Sequence, residues 1–286
     1  MKLIRLTNLI LFILLIYSCS SIEQKELSDK PAELSVMTFN IRLGTVDDGI
    51  NNWNNRKPMV SEVISEFFPD ILCLQEAFKF QIDEIILSHP NYAVIGVGRE
   101  DGIDKGEYSC ILYSRDRFIV DSTGNFWLSD TPEIPGSMTW GNQFPRICSW
   151  AKLFDKFNNK EFFIFNTHLD HQVQLARENG VKLILERMRK IAPKSPIILT
   201  GDFNSDETNP AVQLVLNNKL IDSYRALNKL SDREGTFNGF KGIDTDERID
   251  FIFVNNSFTP IKSEIIRYNR NGLYPSDHFP VITRFK

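Results

Sequence analysis

Two polar residues stand one position apart at the end of a buried apolar run. The run Ile197–Thr200 has the composition of a strand buried on both faces, and Gly201 leads from it into Asp202 and Asn204. Because alternate residues of an extended chain point to the same side, both polar groups should project together from the rim of a sheet. They could serve chemistry there, or they could form a turn, since turns commonly use Asp and Asn.

Five further fragments place polar or ionisable groups beside the ends of strand-like runs. Each has an ordinary structural explanation, such as a capped turn, a solvated strand end or a histidine satisfied within the core. One functional site shared by all six fragments explains them better than six separate structural roles do. The fragments are 38–40, 74–76, 166–168, 248–250 and 276–278, and their polar members are Asn40, Glu76, His168, Asp250, Asp277 and His278.

The donor types in this set predict a divalent cation. Glu76, Asp202 and Asp277 supply carboxylate oxygens, and Asn40 and Asn204 supply amide oxygens, which suit Mg²⁺ or Mn²⁺. Magnesium keeps several waters and takes one or two protein carboxylates, so Glu76 is expected as the direct ligand, with Asn40 and Asp277 close to it. His168 and His278 are left for proton and phosphate chemistry, and a buried Asp250 would fix the tautomer of His278 and raise its basicity.

The elements that must position these residues alternate irregularly. Helical periodicity covers 56–68 and 173–192, and a third short helix should begin with Asn209 as its cap and Pro210 at its first position. Several consecutive strands have no helix between them, which argues against a purely parallel doubly wound sheet and favours an α/β sandwich of mixed sheets. The strand-like runs are 34–41, 71–74, 92–97, 108–113, 147–154, 162–166, 197–200, 249–254, 264–267 and 281–285.

The first 33 residues differ in character from the rest. Lys2 and Arg5 precede an apolar run over 9–16, followed by small residues and Cys19, as in a bacterial lipoprotein signal peptide. We expect residues 1–18 to be removed, Cys19 to be lipidated, and the polar segment 19–33 to act as a tether. Simple secretion with cleavage nearby is the alternative. Either outcome places the folded domain, 34–286, outside the cytoplasm, in the first case anchored to a bacterial membrane through lipid alone.

Charge and cysteine content limit the function classes. The chain of 286 residues has a formal net charge of −4, and loss of residues 1–18 would make it −6. An acidic domain lacks the positive electrostatic potential that nonspecific nucleic-acid binding requires, although bound cations could supply that potential in a nuclease. Cys73, Cys110 and Cys148 lie in apolar runs without metal-ligand spacing, so we expect buried core thiols. We also expect a monomer.

The ordered fragments resemble the signature of the endonuclease/exonuclease/phosphatase superfamily. The resemblance extends from about residue 34 to residue 286 and rests on 38–42, 74–76, 166–169, 201–204, 248–252 and 276–278. It implies a deoxyribonuclease-like, four-layer α/β sandwich of two mixed β-sheets flanked by helices. It also implies Mg²⁺-dependent hydrolysis of a phosphoester, in a nuclease, phosphodiesterase or phosphatase.

The same resemblance implies a division of roles. Glu76 would bind the metal with help from Asn40, and Asp277 would be a second carboxylate on the metal side. The other implied catalytic residues are Asp202, to orient or activate water, His168 and Asn204, to hold phosphoryl oxygens, and Asp250, to orient His278 against phosphate or water.

The segments between the motifs should select the substrate. Trp127, Trp140 and Arg146 could form a stacking and phosphate-clamping wall, although packing explains Trp127 equally well. The other candidates for the pocket are Glu107, Asp170 and His171. Extracellular nucleic acid, sugar or inositol phosphates and phospholipid headgroups all remain open as substrates.

Two alternative functions belong to other classes. A dinuclear metallophosphoesterase is suggested by His168, Asp170 and His171, but four histidines without a His-x-His pair do not build the usual dinuclear cage. A non-catalytic surface lipoprotein that uses the sandwich for binding should lack a catalytic residue, whereas all six motifs are present.

Overall fold

The structure is a computed structural model that describes residues 32–245 and 247–286. The predicted signal peptide, the lipidation residue Cys19 and nearly all of the predicted tether lie outside the described residues. The helices are α1 (Trp53–Phe67), α2 (Lys79–Ser88), α3 (Gln174–Ile191) and α4 (Pro210–Asn217). The strands are β1 (Leu34–Asn40), β2 (Ile71–Gln75), β3 (Tyr92–Ile95), β4 (Ile111–Ser114), β5 (Phe118–Trp127), β6 (Ile147–Asp155), β7 (Lys160–His168), β8 (Ile197–Asp202), β9 (Ile221–Asp222), β10 (Asp250–Val254), β11 (Pro260–Ile265) and β12 (Val281–Phe285).

The strands form two six-stranded mixed sheets. The first has the order β11-β12-β1-β2-β4-β3, and the second has the order β5-β6-β7-β8-β10-β9. Each contains one parallel pair at its centre, β1 with β2 and β7 with β8, while its other pairs are antiparallel. A parallel pair brings the carboxyl ends of its strands to one edge, so both sheets present the ends of their central strands there.

Alternation along the strands divides the interior into three cores. In β1, Val36 packs between the sheets, whereas Met37 and Phe39 pack against α1 and α2. In β8, Ile198 packs between the sheets, whereas Leu199 packs against α3 and α4. The layers are therefore helices, sheet, sheet and helices, which confirms the predicted four-layer α/β sandwich.

The predicted helices are present with shifted ends. Helix α1 begins at Trp53, three residues earlier than predicted, after Asn52 caps it by accepting from the Asn55 amide at 3.3 Å. Helix α3 agrees with the prediction to within a residue at each end. Helix α4 begins as predicted, because Asn209 accepts from the Ala211 amide at 3.0 Å and Pro210 occupies the first turn.

Three elements were not predicted. Strand β5 carries the polar stretch 121–125 and lies at a sheet edge, where it pairs with β6 alone, so it lacks the apolar run of a central strand. Helix α2 begins after Phe78, which offers no polar N-cap. Strand β9 has two residues, too few for a pattern. In addition, β11 begins at Pro260, four residues before the predicted strand.

The three cysteines in the described residues are buried and unpaired, as predicted. Burial raises the pKa of the Cys73 thiol to about 12, so this group stays protonated inside the core. Among the described residues, no helix combines the length and the hydropathy that a membrane span requires.

A buried polar bridge joins the two sheets just below the edge that carries the predicted site. Asn166 of β7 donates to the carbonyl oxygens of Leu74 and Cys110 at 2.9 and 2.8 Å. Its side-chain oxygen accepts from Gln75 Nε2 at 2.7 Å and from Thr200 Oγ1 at 3.2 Å. Buried polar groups are costly unless paired, so these contacts fix the register of one sheet against the other.

Replacement of this bridge should destabilise the fold. Asn166→Ala leaves buried partners unsatisfied, and we expect the free energy of unfolding to fall by about 3 kcal/mol. Exposed Asn217 in α4 is the matched control, and Asn217→Ala should stay within about 0.5 kcal/mol of the parent. Denaturant unfolding measures both values. Equal stability of the two variants would show that the bridge is not required.

Candidate active site

The predicted residues collect where the inter-sheet core opens. Asn40, Asp202 and Asp250 continue the inward-facing rows of Val36, Ile198 and Ile252, and the register pairs Asp250 with Asp202. His168 ends β7 and pairs with Asp202 as well. In both sheets, the inward-facing residues of the central strands thus change from apolar to polar at the same level.

Asn40 links the carboxylates of the site. Its Nδ2 donates to Asp202 Oδ2 at 2.9 Å and to Glu76 Oε1 at 3.0 Å. Its Oδ1 accepts from the Arg42 amide at 3.0 Å. Through its side-chain NH2 group, Asn40 therefore positions Glu76 and Asp202 relative to each other.

Glu76 follows β2 in a conformation that L-residues rarely adopt. Its φ of 58° lies in the left-handed region, which turns the side chain back toward β1. Glu76 Oε2 accepts from the Leu43 amide at 3.1 Å and lies 3.9 Å from Arg42 Nη1. Arg42 Nε also lies 3.7 Å from Asp277 Oδ2, so one guanidinium holds both predicted metal-side carboxylates.

His278 is held by a buried carboxylate, as predicted. Its Nδ1 lies 2.9 Å from Asp250 Oδ2, and its Nε2 lies 3.8 Å from Asp202 Oδ2. Burial by itself would lower the pKa of His278, but the charges of Asp250 and Asp202 outweigh burial and hold the pKa well above its ordinary value. His278 is therefore an imidazolium near neutral pH.

His168 is in the opposite charge state. Its Nε2 lies 2.9 Å from Asn204 Nδ2 and 3.5 Å from Asp202 Oδ2. Burial and the nearby charges of Arg146 and Arg99 hold the pKa of His168 well below its ordinary value, so it is neutral. Asn204 reaches it from a left-handed turn, with φ of 46°, while its amide donates to Asp202 Oδ1 at 2.9 Å.

Asp202 stands at the centre of the cluster. Burial, together with the charge of Asp250, raises its pKa to about 7, against the opposing effect of His278. A carboxylate whose pKa lies near neutrality can both accept and release a proton at that pH, as a general base must.

Apart from the buried Asn40 and Asp250, these groups line one cavity of about 520 Å³. Of the predicted substrate-binding residues, Glu107, Arg146 and His171 line it, and Asp170 stands behind Arg146 with Oδ2 3.5 Å from its Nε. Trp140 lies in a different pocket, where its indole donates to Asp130 Oδ1 at 2.8 Å. Trp127 is buried, and its indole donates to the Arg99 carbonyl.

Several lining residues were not predicted, among them Arg42, Arg99, Phe144, Phe237 and Glu247. Arg42 could have been inferred, because it lies two residues after Asn40 in the same motif. The others come from loops without any motif, so only their tertiary placement reveals them.

The donors suit a hard divalent cation. Ligand atoms of Glu76, His168 and Asp202 lie within 4.8 Å of one another. Burial raises the pKa of Asp277 above its ordinary value, and the charge of Glu76 raises it further although His278 lowers it. Carboxylates that are buried and close together in this way are stabilised by a bound cation.

Comparison with known proteins identifies the family. The model of the Endonuclease/Exonuclease/phosphatase family matches residues 37–278. The chain belongs to this family. It is therefore a hydrolase of a divalent-metal-dependent family that acts on phosphoesters, which confirms the predicted reaction class and argues against the dinuclear and non-catalytic alternatives.

Relatives of the family share most of the fold. A solved mannosyl-6-phosphatase of Bacteroides thetaiotaomicron is 37% identical, with a TM-score of 0.81 over 88% of this chain and 99% of that chain. An uncharacterised protein of Acanthamoeba polyphaga mimivirus is 29% identical over 88% of this chain and 100% of its own length. Nocturnin of Drosophila melanogaster is 27% identical over 82% of this chain, which spans 42% of that protein.

Asp250 should be required for catalysis by this member of the family, because it holds His278 in its charged form. Asp250→Asn removes that charge, and we expect turnover to fall by about 100-fold to 10,000-fold. Asp155 is a matched control, since it is a buried aspartate at the opposite end of the second sheet, paired with Arg117 at 2.7 Å. Asp155→Asn should lower stability without a comparable loss of turnover. Equal turnover in Asp250→Asn and the parent would contradict the role.

Proposed function

We propose that the protein is a phosphomonoesterase that releases inorganic phosphate from a small sugar phosphate. The observation that carries this proposal is the shape and chemistry of the cavity. It holds the catalytic cluster on one side and a set of polar and aromatic groups on the other, within about 520 Å³. That volume suits a small ligand.

The charge of the protein supports the same substrate class. With a formal net charge of −4, the chain has no general attraction for a polyanion such as nucleic acid. The mannosyl-6-phosphatase relative, at 37% identity, supports a sugar phosphate. Nuclease or phosphodiesterase action is the second candidate, because the relatives of this fold include a D. rerio TDP2 complexed with single-stranded DNA, although at 18% identity.

The residues of the chain would divide the reaction as follows. Asp202 takes a proton from the attacking water, and the water oxygen forms a new bond to phosphorus while the bond from phosphorus to the leaving oxygen breaks. The leaving oxygen takes up a proton from solvent, which gives the free alcohol and inorganic phosphate. Asn204 and His168, which lie 2.9 Å apart beside Asp202, hold phosphoryl oxygens. The His278 imidazolium, fixed by Asp250, offsets the negative charge that builds up on the phosphoryl group.

Glu76 and Asp277 would hold the metal ion, with Asn40 as the residue that positions Glu76. We propose Mg²⁺, with Mn²⁺ as a substitute, because the donors are predominantly oxygens. When bound, the ion supplies positive charge that neutralises phosphoryl oxygens.

A substrate panel tests the proposed function. Purified protein is incubated with hexose 6-phosphates, inositol phosphates, phospholipids, single-stranded DNA and RNA, each with Mg²⁺ and with EDTA. We expect Mg²⁺-dependent release of inorganic phosphate from a hexose 6-phosphate, lost in Asp202→Asn, because that variant lacks the base. Cleavage of internal phosphodiesters with every monoester untouched would overturn the proposal in favour of a nuclease.

We also propose that the protein is exported, lipidated at Cys19 and anchored to a bacterial membrane through that lipid alone, and that it acts as a monomer. The support for export and lipidation is the sequence of the first 19 residues, with Lys2 and Arg5 ahead of an apolar run over 9–16.

Removal of the lipidation residue tests this localisation. In a bacterial host, the parent should fractionate with membranes and carry a lipid on Cys19 by mass spectrometry. Cys19→Ala should lose the lipid and leave the membrane fraction, because the lipid is the proposed anchor. Ser20→Ala is the matched control, which should behave as the parent. Membrane association that is equal in all three proteins would contradict the proposal.

A further inference from the structure

One side of the cavity is built from side chains that the reaction does not use. We call Arg99, Glu107, Phe144, Arg146 and His171 the leaving-group wall. The wall touches the catalytic cluster through His168, whose Nε2 faces Asp202 while its Nδ1 lies 3.9 Å from Glu107 Oε2. A substrate with its phosphoryl group beside His168 and Asn204 would therefore extend along this wall.

The first half of the wall is a rigid ion pair. Arg99 Nη1 and Nη2 donate to the two oxygens of Glu107, each at 2.7 Å. The Arg99 amide also donates to the Glu107 carbonyl oxygen at 3.1 Å, which closes the intervening loop on itself. Each carboxylate oxygen can accept a second hydrogen bond, so Glu107 still offers acceptors to a ligand.

The second half of the wall has donors without partners. Arg146 is 4% exposed, and its Nη2 lies 2.8 Å from His171 Nδ1. Its Nε and Nη1 have no hydrogen-bond partner among the described residues, although Asp170 Oδ2 lies 3.5 Å from Nε. Buried guanidinium groups are normally saturated with acceptors, so unpaired donors beside a cavity point to a ligand or its solvent.

The wall as a whole is close to electrically neutral. The charge of Arg99 is balanced by Glu107, and that of Arg146 is balanced by Asp170, which stands behind it. Burial and the charge of Arg146 lower the pKa of His171, so His171 adds no charge near neutral pH. A second phosphate would gain little here, whereas a neutral molecule with several hydroxyls would find both donors and acceptors.

An exposed aromatic ring completes the wall. Phe144 stacks on His171 with ring centroids 6.3 Å apart, and the Arg99 guanidinium lies 5.5 Å from the centre of the Phe144 ring. Phe144 is 45% exposed, so part of its ring remains accessible. Apolar ring faces next to charged groups suit the mixed surface of a pyranose, whose C–H and O–H groups face different directions.

We infer that the leaving-group wall binds the hydroxyl groups of a singly phosphorylated hexose, with Glu107 as acceptor and Arg146 as donor, and that these two residues determine specificity. This inference rests on the proposed phosphomonoesterase function. A site that pairs buried polar groups with substrate hydroxyls rejects analogues that lack them, because its own groups are then left unpaired.

The test compares two primary alkyl phosphates that differ in hydroxyl content. Mannose 6-phosphate and n-hexyl phosphate are assayed for release of inorganic phosphate, and the ratio of their kcat/KM values is the readout. We expect the parent to favour the sugar phosphate by about 100-fold or more. Glu107→Gln and Arg146→Lys should each lower that ratio by at least about tenfold, because each loses hydrogen bonds to hydroxyls and not to the phosphoryl group.

A matched control lies outside the cavity. Arg187 of α3 pairs with Glu133 at 2.6 Å, so Arg187→Lys makes the same chemical change away from the wall and should leave the ratio within about twofold. Fructose 1,6-bisphosphate serves as the doubly charged probe, and it should be a poorer substrate than fructose 6-phosphate.

The outcomes separate this inference from the proposed function. Two results would overturn the inference: equal hydrolysis of mannose 6-phosphate and n-hexyl phosphate by the parent, or a ratio that is unchanged in both variants. In either case the wall does not recognise the hydroxyl groups of the substrate, although the protein is a phosphomonoesterase. If no monoester is hydrolysed and DNA is cleaved, the proposed function itself fails. If a variant loses all activity, the inference is still tested by the parent's ratio of kcat/KM values for mannose 6-phosphate and n-hexyl phosphate.

Discussion

Face-to-face packing of two sheets is the constraint on which the site depends. Every second residue of a central strand points into the space between the sheets, and along most of that space the residues are apolar. At one end they become polar in both sheets at once, so each sheet must satisfy the polar groups of the other. Asn166 does so within the core, and Asn40, which donates to Asp202 at 2.9 Å, does so at its open end.

Burial at that open end also sets the electrostatics. Exclusion of water disfavours the ionised form of Asp202 and brings its pKa to about 7, while two neighbouring carboxylates keep His278 charged. His168 lies on the other side of Asp202, beside two guanidinium groups, and is therefore neutral. The two histidines of this cluster thus differ in charge because His278 lies beside carboxylates, whereas His168 lies near guanidinium groups.

The architecture separates chemistry from recognition. Most of the catalytic residues sit at strand ends or one or two positions beyond them, where backbone pairing fixes their positions, as the register of His168, Asp202 and Asp250 illustrates. His278 lies three residues before β12 and is held by an isolated backbone bridge to Phe237. The leaving-group wall comes from loops and is tied to the framework by its own ion pairs. Loops tolerate sequence change better than paired strands do, so related proteins can keep the chemistry and alter the substrate.

The sequence by itself determined the mixed-sheet sandwich and the family, because buried strands, helical periodicity and six strand-end motifs are local patterns. The structure brought twelve of the fourteen predicted site residues in the described part to the cavity or directly behind it, and the two exceptions are Trp127 and Trp140. Only the tertiary structure decided that Trp140 lies elsewhere, that Arg42 holds Glu76 and Asp277, and that Arg99, Phe144 and Phe237 line the cavity. Edge strand β5 escaped prediction for the same reason: its residues take their role from neighbours distant in sequence, and no local pattern encodes those contacts.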